Sequence, residues 1–125
     1  MNARISRLRW ASSAAMVLAL LAGCGGDSPD KLLASAKDYL AKNDSKAAVI
    51  QLKNALQTNP NLAEGRFLLG SALLAGRDPV AAEVELRKAL ELKHPADAVL
   101  PRLAQAMLEQ GKLKKLTDEF GKVEL

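Results

Sequence analysis

The sequence predicts an all-α fold, an array of helical hairpins preceded by a short signal helix, and three observations carry that prediction. The composition is rich in alanine and leucine and poor in aromatics, with 49% hydrophobic and 3% aromatic residues. Small residues let helix axes approach closely, whereas sheets favour β-branched and aromatic side chains. Shifting the sequence by 34 positions lays Ala47-Ala48 on Ala81-Ala82 and Gln51–Leu56 on Glu85–Leu90. A further shift of 34 takes Leu69 to Leu103, Leu73 to Met107 and Leu86 to Phe120. Finally, start and stop signals alternate along the chain at helical spacing, and no alternating strand pattern occurs.

The helices follow in order. Ser28 is an N-cap with Pro29 at the first helical position, and Leu32, Leu33, Ala36, Tyr39 and Leu40 form one apolar face. Asn43-Asp44 breaks that run. A second helix is predicted from Ser45 to Thr58, with Ala48, Leu52, Ala55 and Leu56 inward, ended by Asn59-Pro60. Asn61 and Glu64 have capping-box spacing and open a third helix to Ala75. Gly76-Arg77-Asp78-Pro79 supplies a turn, an N-cap and a first helical residue for a fourth helix, which reaches Lys93 before His94-Pro95. A fifth is expected from Ala98 to Gln110, with Pro101 tolerated in its first turn, and Gly111 ends it. A sixth spans Leu113 to Val123.

The first 23 residues read differently. Arg4, Arg7 and Arg9 precede the apolar run Ala14–Ala22, which stops at Gly23-Cys24-Gly25-Gly26. Nine apolar residues are too few for a transmembrane helix, which needs about 20. The order of charge, short apolar run and small residues is that of a secretory signal. Leu21-Ala22-Gly23-Cys24 resembles the lipobox of bacterial lipoproteins. That resemblance implies cleavage between Gly23 and Cys24, a covalent lipid on the Cys24 thiol and acylation of the new amino terminus. One acyl chain holds a protein to a membrane only marginally, and several hold it stably. Residues 24–28 then form a tether. Glycine rather than aspartate follows Cys24, which on the same resemblance favours the outer over the inner membrane. Without the leader, 15 Lys and Arg face 14 Asp and Glu. Of the chain's net charge of +4, +3 thus leaves with its leader and about +1 remains, and nucleic acid is not an expected partner.

The 34-residue helix pairs resemble the tetratricopeptide repeat, whose pattern runs W-x2-L-G-x2-Y, A-x3-F, A, P. In units at 29–62, 63–96 and an incomplete 97–125, the first holds Leu32, Ser35, Ala36 and Tyr39, then Ala48, Leu52, Ala55 and Pro60. The second holds Arg66, Leu69, Gly70 and Leu73, then Ala82, Leu86 and Ala89, with its proline displaced to Pro95. The third holds Leu100, Leu103, Ala104 and Met107, then Leu116 and Phe120, so leucine replaces the packing alanine. The small residues Ala36, Gly70 and Ala104 are expected where the two helices of a unit cross.

Enzymatic chemistry is not expected. There is one histidine, His94, read as a solvated turn residue, and the one cysteine belongs to the lipobox. No glycine-rich loop carries a phosphate-binding lysine, and the carboxylates are expected on solvated helix faces. No metal, small-molecule substrate or cofactor beyond the lipid is implied. Stacked helix pairs instead present a concave face for protein partners. Counting from the core slots places Leu33, Lys37, Leu40, Phe67, Ser71, Leu74, Gln105 and Leu108 on that face. Some tetratricopeptide domains grip C-terminal carboxylates with a lysine and an asparagine; here those slots hold Leu33 and Lys37, so that clamp is not expected.

The stretch from Cys24 to Phe120, including the Pro95 and Pro101 insertion, is similar to the start of the tetratricopeptide lipoproteins of the PEP-CTERM/exosortase system. The resemblance implies a cell-envelope scaffold that accompanies exopolysaccharide production or protein sorting, lipid-anchored on the periplasmic side. Two other readings stay open: an assembly factor for a pilus or outer-membrane machine, and a truncated remnant. Members of that family are far longer, so the resemblance also implies a fragment of a longer array, marginally stable alone.

Overall fold

The computed structural model describes residues 25–122. The signal segment 1–23, the lipidation residue Cys24, and Val123 and Leu125 lie outside the described residues. Among the described residues the chain forms six helices and no strand: α1 (Pro29–Ala41), α2 (Ser45–Thr58), α3 (Ala63–Ala75), α4 (Pro79–Glu91), α5 (Ala96–Glu109) and α6 (Leu113–Phe120). Each helix packs on its neighbours in sequence, and α3 also touches α1 and α5. The result is a row of hairpins, α1–α2, α3–α4 and α5–α6.

Short-range chemistry sets the ends of these helices. The hydroxyl of Ser28 accepts from Lys31 N at 3.4 Å, and Pro29 begins α1. Asp44 and Asp78 cap α2 and α4, accepting from Ala47 N at 3.0 Å and Ala81 N at 3.1 Å. The turns inside the hairpins repeat at 34-residue intervals. Asn43, Arg77 and Gly111 adopt left-handed backbones with φ of 59°, 66° and 72°. The next residue then donates back across the helix end: Asp44 N to Tyr39 O, Asp78 N to Leu73 O and Lys112 N to Met107 O, each at 2.9 Å. This closure satisfies carbonyls that a helix end otherwise leaves bare.

Four local expectations need correction. Asn61 and Glu64 form no capping box. Leu62 holds the N-cap position with no side-chain bond, Asn61 N donates to Asn59 Oδ1 at 3.2 Å, and Glu64 pairs with Lys37. The Asn59 turn has taken the donor that a box would have used. Helix α4 ends at Glu91, because Lys93 turns left-handed with φ 68°. Helix α5 begins at Ala96, so Pro101 sits in its second turn rather than its first. The proline removes the amide that would bond the Asp97 carbonyl, but both residues are exposed and water can serve that oxygen. Helix α6 stops at Phe120 with Gly121 as its C-cap, short of Val123.

The core falls into two clusters along the row. One joins α1, α2 and α3 through Leu33, Ala36, Ala48, Leu52, Leu56, Leu69 and Ala72. The other joins α3, α4 and α5 through Leu74, Ala82, Leu86, Ala89, Val99, Leu103, Ala106 and Met107. Ala48, Leu52 and Ala55 are wholly buried, and so are Ala82, Leu86 and Ala89 at the same slots of the next hairpin. Close crossing requires the small residues. A Cβ placed on Gly70 would lie 2.6 Å from Leu86 Cγ. In the third hairpin Leu116 and Phe120 fill the slots of Ala82 and Leu86, both stay half-buried, and α6 has no buried residue. The larger side chains hold α6 off α5 and leave a cleft of about 230 Å³ between them, lined by Leu100, Ala104, Leu116 and Phe120.

Candidate protein-interaction surface

The eight residues predicted for the concave face divide by burial. Leu33 and Leu74 are 6% and 5% exposed and belong to the two core clusters. That corrects their assignment to a ligand-binding face: the neighbouring hairpin covers them. Leu40 packs, half-buried, on the first cluster. Ser71 is buried, and its hydroxyl donates to Phe67 O at 2.9 Å, which satisfies it within its own helix. Lys37 is exposed and pairs with Glu64 of α3 at 2.6 Å. Gln105 is exposed and donates to Glu109 at 2.8 Å. Leu108 is 51% exposed, although its counterparts 34 and 68 residues earlier are Leu74 and Leu40.

Phe67 is half-buried against the second cluster and carries two partners that the sequence did not announce. The His94 ring stacks on it, with centroids 4.5 Å apart and planes 18° apart. The Arg102 guanidinium lies 5.5 Å from the ring centroid, within cation–π range. The expectation of a solvated turn histidine is corrected: the α4–α5 turn folds His94 onto α3, where the stack shields one ring face. No local signal links these residues, because the turn that joins them is set by the position of α5.

A second missed feature is ionic. Glu83 on α4 is only 7% exposed, against the expectation that carboxylates lie on solvated faces. It accepts from Lys112 Nζ at 2.7 Å, Gln110 Nε2 at 2.8 Å and Arg87 Nε at 3.0 Å. Burial alone would raise its pKa, but these hydrogen bonds outweigh burial and hold it at about 2. Arg87 continues the network, bonding both carboxylate oxygens of Glu119 at 2.6 and 3.0 Å. The Glu119 carboxyl is lowered, chiefly by that bond. The network ties α4 to the α5–α6 turn and to α6. A signal for it existed: Glu83 falls where the preceding unit has Val49, a polar residue in a slot that the register makes semi-buried.

Arg66, in the second unit, is the counterpart inside one hairpin. Its Nη1 donates to Glu85 Oε2 at 2.7 Å and its Nε to Pro60 O at 3.0 Å, joining α3 to α4 and to the loop before it. A cleft of about 380 Å³ opens at the junction of the first and second hairpins, between the start of α2 and the α3–α4 turn. Val49, Ile50 and Leu73 wall it, with Ser45, Gly76 and Asp78 at its polar end. Ile50 is 59% exposed, and Val80 on the adjoining helix is 62% exposed.

Compared with known proteins, the sequence matches no family model, and no curated protein matches it. Among the described residues no helix is long and apolar enough to cross a membrane, and no group of three His, Cys, Asp or Glu is placed to hold a metal.

Proposed function

We propose that this protein is a lipid-anchored tetratricopeptide scaffold that binds other proteins at a bacterial cell envelope, in a PEP-CTERM/exosortase type of exopolysaccharide or sorting system. The observation that carries the scaffold reading is the recurrence of one packing unit at 34 residues. The same small-large-small set, Ala48-Leu52-Ala55 and Ala82-Leu86-Ala89, is wholly buried in successive hairpins. The left-handed turn residues Asn43, Arg77 and Gly111 recur at the same interval. A generic bundle has apolar faces but no reason to repeat its turn conformation, whereas stacked repeat units do. The anchor rests on Leu21-Ala22-Gly23-Cys24 at the end of the apolar run, and the envelope system rests on the resemblance of residues 24–120. No catalytic residue is part of the reading.

Membrane fractionation of the intact chain against Cys24→Ser tests it. The intact protein is expected in the envelope fraction and the variant in soluble fractions, with envelope proteins captured only by the anchored form. Recovery of both from the cytosol overturns the anchor. The location of the gene discriminates the system: exosortase and glycosyltransferase neighbours support the reading, while pilus or barrel-assembly neighbours replace it.

A further inference from the structure

The two junctions between hairpins are built in one register, yet one is filled and the other is open. At the second junction the Gln110 amide nitrogen lies 3.1 Å from Pro79 O, 3.0 Å from Ala106 O and 2.8 Å from Glu83 Oε2. Thirty-four residues earlier, the same positions are Gly76, Ser45, Ala72 and Val49, and all four line the 380 Å³ cleft. Two of the three acceptors that Gln110 meets at one junction, the backbone carbonyls, have counterparts at the other in those of Ser45 and Ala72. Ala72 O takes Gly76 N at 2.9 Å and keeps a second lone pair, Val49 stands in place of the Glu83 carboxylate, and no side chain enters from position 76.

Backbone geometry does not require that glycine. Gly76 has φ −81° and ψ 5°, and Gln110 has φ −86° and ψ 0°. The left-handed position of the turn belongs to Arg77. Nor does space require it. A Cβ on Gly76 would sit 3.4 Å from Ala72 O and 3.6 Å from Ser45 Oγ, ordinary contact distances. Glycine here serves neither conformation nor close packing, and its effect is to leave the cleft open.

We infer that this cleft is a docking site for a protein partner, which inserts a glutamine-type primary amide where Gln110 sits at the other junction. The amide donates to the carbonyl of Ala72 and to Ser45. An aliphatic neighbour in the same segment lies on Val49 and Ile50, because the cleft holds more than one side chain and its walls are apolar. A lysine is the poorer occupant. The buried carboxylate that receives Lys112 at the second junction is Glu83, and its counterpart here is Val49. Asp78 on the lining is exposed and caps α4 through Oδ1, so it is a weaker partner than a buried carboxylate, and Lys46, also on the lining, disfavours a second cation. The site is lined by α2, the end of α3 and the α3–α4 turn, and none of the eight residues predicted for the concave face lines it. This inference rests on the reading of the chain as a protein-binding scaffold.

The test is a titration of the ¹⁵N-labelled full chain with acetyl-Leu-Gln-Leu N-methylamide, alongside peptides with norleucine or lysine in place of glutamine. The expected result is saturable shifts of the Ser45, Ala72 and Gly76 amide resonances, with affinity at least about tenfold above either control, the scale of one well-made hydrogen bond. Gly76→Gln is expected to abolish those shifts and raise the melting temperature, since the new side chain fills its own cleft. Ile50→Ser, a change at an exposed position, is expected to weaken binding severalfold and guards against a misfolded first variant. Equal binding of the norleucine peptide, tighter binding of the lysine peptide, or unchanged binding by both variants overturns the proposal. So do concentration-dependent shifts of the same resonances without peptide, which would place a second copy in the cleft. Envelope capture by the intact chain alongside a failed titration would remove the cleft and leave the scaffold standing.

Discussion

Arg77 holds a left-handed backbone with φ 66°, directly after a glycine that does not. A left-handed conformation costs a residue with a Cβ about 1–2 kcal/mol, which glycine avoids. Glycine in turn loses more backbone entropy on folding, by about 0.4–1 kcal/mol. Arg77→Gly is therefore expected to stabilise the fold by about 0.5–1 kcal/mol in urea unfolding, and a loss of stability would contradict the strain argument. The sequence shows a turn at Gly76-Arg77 but not which residue bears the unusual φ. That depends on where α3 ends, and the helix end is set by the bond from Asp78 N to Leu73 O. The same limit explains His94. Its neighbours in sequence describe a turn, and only the position of Phe67 on another helix makes it a stacked ring.

At the scale of elements, α6 is the most weakly held helix. It has no side-chain N-cap, because Lys112 stands where Asp44 and Asp78 cap their helices. What Lys112 forgoes as a cap it contributes as a partner of Glu83. The Glu83 carboxyl lies at about 2 in the folded chain against an ordinary 4.5. A folded pKa below the unfolded one means stability that is complete above about 4.5 and lost as the pH falls through 2. The difference corresponds to about 3 kcal/mol, and Glu119 changes in the same direction. Glu83→Gln is expected to destabilise the chain by about 3 kcal/mol at pH 7 and by little near pH 2. Denaturation curves at several pH values would check it, and equal losses across the range would show that the network is not the cause. Because the network joins α4 to the third hairpin, hydrogen-exchange protection factors in α6, taken against the intrinsic rate at each pH, are expected to fall first on acidification. Helix existence and type were legible from periodicity and caps, and the bounds of α2 are those the sequence signals predict. The bounds of α5 were not, because Pro101 is acceptable inside a helix only when its freed carbonyl faces water.

Across the whole molecule, one slot has three environments. Leu40, Leu74 and Leu108 occupy equivalent positions, yet Leu74 is 5% exposed, Leu40 half-buried and Leu108 51% exposed. Covering by the next hairpin decides the difference. Leu74→Ala is expected to cost about 2–5 kcal/mol, as core truncations do, while Leu108→Ala stays within about 0.5 kcal/mol. Similar costs at both sites in chemical denaturation would mean that the third hairpin is covered in solution. The opposite face of the row is polar. Where α3 and α5 carry Gly65, Leu69, Ala72 and Val99, Leu103, Ala106 toward the preceding hairpin, α1 carries Lys31, Ser35 and Asp38. The amino acid sequence by itself determined the hairpin array, its 34-residue register and the small residues at the crossings. Those features follow from hydrogen bonds and contacts within a few residues, which a periodic pattern records. Only the tertiary structure decided which slots are covered, that Leu33 and Leu74 are core rather than surface, that Glu83 is buried among cations, and that Gly76 opens a cleft which Gln110 closes elsewhere. Burial and pairing depend on side chains brought from other helices, and a residue's own neighbours in the chain carry no measure of that.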